Sequence, residues 1–236
     1  MAIFQGLYLY QIVLLIFGSL LFSILLFALM YCIVQSKPIK RLLPFFVAAI
    51  LMIAFPGIKS FQYKEGMITV EINEDKLRQN PEDPQARENL RKGLEIVQGR
   101  PNSDPSSALV IARAHYALGN EQAALASLQS ALHSQAVGPD ALKLKQKIEA
   151  FQTINTLTTR IEQNPGDFSA KEQLAARVAQ VANEPTANPE AIATLARAHA
   201  ALGQKGQATA NAQKALKINP NLAAAPQLKT IMQLHQ

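Results

Sequence analysis

The tetrapeptide Ala-Arg-Ala-His occurs twice, at 112–115 and at 196–199, and it concentrates the most chemically versatile side chains of the sequence. An arginine guanidinium is a planar fork of donors that matches a carboxylate bidentately, so Arg113 and Arg197 are candidates for gripping an acidic group. The neighbouring His115 and His199 are capable of proton transfer or metal ligation. The four histidines, His115, His133, His199 and His235, include no pair at the i, i+4 spacing with which one helix presents two metal ligands. His133 is replaced by Lys217 in the second occurrence, which suits an exposed site. The sequence contains no GxSxG, HExxH, GxxxxGK[ST] or GxGxxG run. Its carboxylates are scattered, and a group such as Glu71, Glu74 and Asp75 reads as a solvated helix face and not as an acid/base pair. Cys32 is the single cysteine, so a disulfide, a redox pair or a four-ligand zinc site cannot be built from cysteine. The expectation is a non-enzyme with no cofactor and no metal.

The elements that position these residues begin with a division by solvent. From Met1 to Ser36 there is no Asp, Glu, Lys, Arg or His, whereas all 17 acidic residues lie at Glu65 or later. Of the 23 Lys and Arg, Lys37, Lys40, Arg41 and Lys59 flank the apolar segments, which leaves 19 bases against 17 acids from Gln62 onward. The formal charge of +6 is therefore mostly a membrane-flank effect, and with no Trp and no basic stripe interleaved with aromatics it is not a nucleic-acid footprint.

Residues 7–34 form an apolar run longer than the ~20 helical residues that cross a hydrocarbon core of ~30 Å. A cleavable signal peptide would need a basic start and an apolar core of about 7 to 15 residues, and neither is present. Residues 42–58 form a second, shorter span, with Pro44 in its first turn and Pro56 near its end; a re-entrant segment is the alternative reading. Between them lies a hairpin tip carrying Lys37, Lys40 and Arg41. The positive-inside rule places that tip in the cytoplasm and both chain ends on the other side, although Lys59 and Lys64 reduce the bias. Small residues, Ser19 and Ser23 on one span and Ala48, Ala49 and Ala54 on the other, suit a hairpin that closes on itself.

The remainder repeats itself at an offset of 84 residues without a gap. Asn80-Pro81 and Asp83 recur as Asn164-Pro165 and Asp167, Pro101 and Pro105 as Pro185 and Pro189, Leu118-Gly119 as Leu202-Gly203, Ala131-Leu132 as Ala215-Leu216, and Leu144-Lys145 as Leu228-Lys229. Pro, Gly and Asn mark the joints, and the Ala-, Leu- and Gln-rich stretches between them have helical spacing. Helices are expected over 85–98, 105–118, 121–134 and 139–163, then 168–182, 189–202, 205–217 and 223–235. The expected organisation is all-α: a transmembrane hairpin over 1–61, a connector over 62–79, and four-helix units over 80–163 and 164–236. The connector contains the β-branched run Ile68-Thr69-Val70-Glu71-Ile72, but a lone strand would have no partner, so helix is expected there too.

The segment from Pro189 to Leu222 resembles a tetratricopeptide repeat. Counting Pro189 as the first position, Leu195 and Ala196 occupy the seventh and eighth, Ala208 the twentieth, Ala215 the twenty-seventh and Pro220 the thirty-second. Pro105 to Gly138 follows the same pattern through Ile111, Ala112, Ala124 and Ala131, with Ala136 where the proline belongs. Both units depart from it at the eleventh position, His115 and His199, and at the fourth, Ala108 and Ile192. The resemblance implies an α-solenoid of helix pairs whose first helices line a concave, partner-binding groove. On that pattern the groove residues are Ser106, Leu109, Arg113, Tyr116 and Ala117 in one unit and Glu190, Ala193, Arg197, Ala200 and Ala201 in the other.

The combined expectation is a membrane-anchored scaffold or assembly factor whose repeat domain binds a partner protein at the extracytoplasmic, periplasmic face of a bacterial inner membrane. Its partners would be other membrane or periplasmic proteins and the lipid bilayer, with no nucleic acid. A permanent accessory subunit of a membrane complex is a second expectation. The layout is also similar to the apocytochrome-chaperone subunit of cytochrome c maturation systems, which joins a two-helix anchor to an extracytoplasmic tetratricopeptide domain, although the cytoplasmic loop here is much shorter.

Overall fold

A computed structural model describes residues 8–35, 38–98, 104–181 and 184–233. Every regular element among them is helical. The chain divides into two compact units, Met1–Ile68 with Glu95–Ser103, and Thr69–Leu94 with Asp104–Gln236.

In the first unit, α1 spans Leu9–Val34 and is followed by a short 3-10 turn, Ile39–Arg41. The second apolar helix, α2, runs Leu43–Gln79. Both are long and apolar enough to cross a membrane, and only 11% of each apolar stretch is buried. A core helix of a water-soluble protein would bury most of such a stretch. The two helices approach closely where Gly18 lacks a side chain: a Cβ there would stand 2.9 Å from Met52 Cβ. Nearby, the rings of Phe22 and Phe46 meet edge to face at 5.8 Å.

The expected break after residue 58 is absent, because α2 continues as one helix through Pro56 to Gln79. A proline removes one backbone hydrogen bond and is most costly inside a helix, yet packing further along holds the helical path. Gly66 lies against Ile96 and Val97, where an added Cβ would come within 2.8 Å and 2.9 Å of their side chains. The β-branched run is helical for the same reason. In the second unit Val70 and Leu77 are fully buried, one helical stripe apart, with Gly93 admitting Val70 at close range.

The second unit is a row of helices: α3 (Pro84–Val97), α4 (Pro105–Ala117), α5 (Glu121–Leu132), α6 (Gly138–Gln163), α7 (Phe168–Val181), α8 (Pro189–Ala201), α9 (Lys205–Ile218) and α10 (Ala225–Gln233). The starts of α3, α4 and α5 recur 84 residues later as those of α7, α8 and α9, and the ends of α2 and α6 are related by the same offset. The caps recur with them. Asp83 and Asp167 accept backbone N–H groups at the starts of α3 and α7, and Asp104 and Asn188 do so for α4 and α8. Each of these satisfies donors that a helix start otherwise leaves open.

Helix α4 pairs with α5 and α8 with α9. The turns between them use Gly119 and Gly203 in the left-handed region, φ 90° and 75°, so that Asn120 N–H and Gln204 N–H donate back to the His115 and His199 carbonyls at 2.8 Å. Alanines sit where the paired helices cross. Ala112, Ala124 and Ala131 and their counterparts Ala196, Ala208 and Ala215 are all fully buried. Further along the row α6 packs on α7 and α8, and α10 on α8 and α9.

Two contacts bring the beginning of this row to its second half. The Arg87 guanidinium on α3 donates to the carbonyls of Pro81 (3.1 Å), Ala117 (2.9 Å) and Ala187 (2.9 Å). Beside it, Lys217 at the end of α9 meets Glu82 at 2.6 Å.

Candidate functional site: a charged cleft on one side of the helix row

A cleft of ≈ 760 Å³ opens between α4, α6 and α7, a size in the range of pockets that enclose a small ligand or part of a peptide. Helix α6 supplies much of its wall with Asp140, Lys143, Lys147 and Glu149, while α4 contributes Arg113 and α7 contributes Arg177. Arg113, Leu144 and Lys147 also line a second, inner pocket of ≈ 190 Å³, so the two adjoin. That inner pocket is also lined by Glu74 and Arg78 from the end of α2, by Tyr116 and Ala117, and by Pro185, Thr186 and Ala187.

Most charges around the cleft are matched by a neighbour. Arg113 stands 3.6 Å from Asp140, which Lys143 also approaches at 3.6 Å. Lys147 pairs with Glu184 at 3.1 Å and donates to the Pro185 carbonyl at 3.2 Å. Arg78 pairs with Asp75 at 2.7 Å. Glu74 differs from these, since its carboxylate makes neither a hydrogen bond nor an ion pair within the described residues. Burial pushes it above its ordinary range, against the pull of the Arg113 and Arg78 guanidiniums. Among the described residues Arg177 has only the Gln180 side chain, at 3.2 Å.

Tyr116 forms part of the pocket wall. The residue is only 7% exposed, its hydroxyl has no hydrogen bond of good geometry, and burial raises its pKa far above the ordinary phenol value. Such a buried, unpaired hydroxyl costs about 1 to 3 kcal/mol relative to a satisfied one.

The residues expected in a groove are not all brought together. Arg113 and Tyr116 lie side by side at the junction of the cleft and its inner pocket. Leu109 does not line the cleft: it is 4% exposed and packs in the core with Ala112, Leu128 and Leu195, because its position on α4 points into the helix pair. Ala193 is buried as well. Glu190 sits in the first turn of α8, next to the Gly119 turn, where a carboxylate suits the positive end of the helix. Arg197 is held elsewhere, in contacts with Glu162, Asn155 and Thr159 of α6. The two equivalent arginines therefore have different roles, one at an open cleft and one between helices.

At the hairpin tip, Lys40 is exposed within the short turn. Lys37 lies outside the described residues, and Arg41 is described by its backbone alone.

His115 and His199 are both buried, 6% and 7% exposed, which agrees with packed positions. His199 Nδ1 contacts the Gln204 side chain at 2.5 Å, whereas the equivalent Asn120 is one methylene shorter and His115 Nδ1 has no partner. Burial lowers the pKa of His115.

Glu74, Lys147 and Arg177 were not legible as site residues. Glu74 read as part of a solvated face because its neighbours Glu71 and Asp75 are acidic too. In comparisons with family models, curated proteins and solved structures, the chain matches none.

Proposed function

We propose that this protein is a non-catalytic, membrane-anchored scaffold of tetratricopeptide type, built from an 84-residue duplication, that holds a segment of a partner protein in the cleft around Arg113. The observation that carries this reading is the cleft itself. It is an open concavity lined by long charged side chains from α4, α6 and α7, the arrangement expected for an extended protein segment. The recurring helix starts, caps and fully buried alanines at the crossing positions support the solenoid and duplication readings.

The apolar, largely unburied α1 and the first part of α2 form the anchor in the bilayer. The bases Lys37, Lys40 and Arg41 hold the hairpin tip in the cytoplasm, which sets the helix row on the extracytoplasmic side, at the periplasmic face of a bacterial inner membrane.

The test is photo-crosslinking in intact cells. A benzoylphenylalanine placed at Gln146, exposed in the cleft, should form a discrete protein adduct, while the same group at the exposed Gln213 on α9 should not. The adduct should also be lost on Arg113→Glu. Equal adducts from both positions, or none from Gln146, would overturn the reading.

A further inference from the structure

We propose that the cleft selects a partner segment carrying one basic and one acidic side chain, the basic one entering the inner pocket at Glu74 and the acidic one lying at Arg177. This rests on the reading of the cleft as a peptide site and adds the chemistry of its occupant.

The inference starts from the charges left unmatched. The inner pocket has three cations on its wall, Arg78, Arg113 and Lys147, and a simple count would make it an anion site. Arg78 and Lys147 pair with Asp75 and Glu184 at 2.7 and 3.1 Å, and Arg113 shares Asp140 with Lys143, each at 3.6 Å. Among the described residues the Glu74 carboxylate, half-buried on the wall of the inner pocket, has neither a hydrogen bond nor an ion pair.

A carboxylate withdrawn from water without a counter-ion is destabilised, and an incoming ammonium or guanidinium relieves it. The Tyr116 hydroxyl, buried on the same wall beside Thr186 and without a hydrogen bond of good geometry, offers an oxygen lone pair to the same donor. A carboxylate and a phenol oxygen on one pocket wall therefore favour a donor-rich, positively charged side chain.

The outer cleft has the opposite vacancy. Asp140, Glu149 and Glu184 each have a lysine within 3.7 Å, whereas Arg177 has no acid within ion-pair distance among the described residues. A carboxylate on the same segment completes that end with a two-pronged contact.

Full-length protein in detergent micelles would be titrated with four acetylated, amidated alanine-based hexapeptides, carrying one Arg and one Asp, two Asp, two Arg, or neither. The Arg/Asp peptide should bind tightest. Glu74→Gln should weaken it roughly tenfold, about 1.4 kcal/mol, while leaving the Asp/Asp peptide unweakened. Arg177→Gln should weaken the Arg/Asp peptide and leave the Arg/Arg peptide unchanged. Helical circular dichroism checks that both isosteric variants remain folded.

Tightest binding of the Asp/Asp peptide, an Arg preference that survives Glu74→Gln, or no binding of any peptide would overturn the proposal. If the Gln146 crosslink forms while the peptide ranking fails, the cleft still binds protein and only the charge assignment is wrong. If both fail, the cleft is not the partner site.

Discussion

Arg197 and Glu162 face each other as two parallel forks, Nε to Oε1 at 3.1 Å and Nη2 to Oε2 at 2.6 Å, across the contact of α8 with α6. The arginine side chain is 15% exposed and is further held by Asn155 at 2.9 Å. This geometry joins two helices, and little of the guanidinium remains for a partner.

Arg197→Ala should therefore lower stability by about 1 to 3 kcal/mol, because it leaves Glu162 and Asn155 without their shared donor. Arg113→Ala, whose ion pair is longer and more exposed, should change stability by less than about 1 kcal/mol and act on partner capture instead. Chemical denaturation of the two variants, with crosslinking from Gln146 as the second readout, checks the separation. Equal destabilisation by both would show that Arg113 also braces the helices.

The two left-handed glycines give a graded test of the turns. An alanine at either pays the conformational penalty of a positive φ, about 1 to 2 kcal/mol. At Gly203 the new Cβ has nothing within 4 Å, whereas at Gly119 it stands 3.4 Å from Glu190 Cγ and 3.7 Å from Pro189 Cγ. Both substitutions should lower the denaturation midpoint, Gly119→Ala by the larger amount. The reverse order would mean that the space around Gly119 adjusts freely.

A pH dependence follows from Glu74. Its folded pKa is raised, so between the unfolded value near 4.5 and the folded value the native state binds more protons than the unfolded one, and stability falls as pH rises through that window. Glu74→Gln removes the penalty. The variant should be more stable than the parent at pH 7, with the gap closing as pH drops below about 4.5. Urea titrations at a series of pH values give the difference directly; a variant less stable at pH 7 would mean that Glu74 is paired in the folded protein.

Orientation in the membrane has its own measurement. With Cys32 replaced by serine, a cysteine introduced at Gln213 should react with a membrane-impermeant maleimide added outside intact spheroplasts. A cysteine at Lys40 should react only after lysis. The opposite pattern would reverse the positive-inside assignment.

The scaffold was legible in the sequence because the residues that build it occur twice. The capping Asp83 and Asp167, the turn glycines Gly119 and Gly203, and the alanines at the helix crossings satisfy the same backbone and packing demands in both copies, so repetition marked them. Apart from Arg113 and Leu144, which recur 84 residues on, the cleft was not legible, because the rest of its charged wall is made where the repeated positions differ. Glu74 corresponds to Thr158, which is buried and bonded to its own helix, and Arg177 to Gly93, which lies against Val70. Lys147 corresponds to Ile231 and Asp140 to Ala224, both beside the apolar cluster at the chain's end. Arg197 failed as a groove residue for a related reason. Equivalent backbone positions put Arg113 and Arg197 on equivalent helices, but the acid at 162 exists in one copy only, its counterpart being Arg78.

Arg87 has a consequence for how the molecule would respond to a mechanical load. A row of helix hairpins in which each touches only its neighbours gives way one hairpin at a time when pulled from one end. Here a single guanidinium ties the start of α3 to the end of α4 and to the backbone just before α8, 100 residues away in sequence. Load applied at the start of α3 would be shared there with the backbone before α8, and the neighbouring Lys217–Glu82 pair adds a second tie. Arg87 and that pair would thus make the row behave less like a chain of separate springs and more like a strap sewn back on itself, yielding first at its stitches.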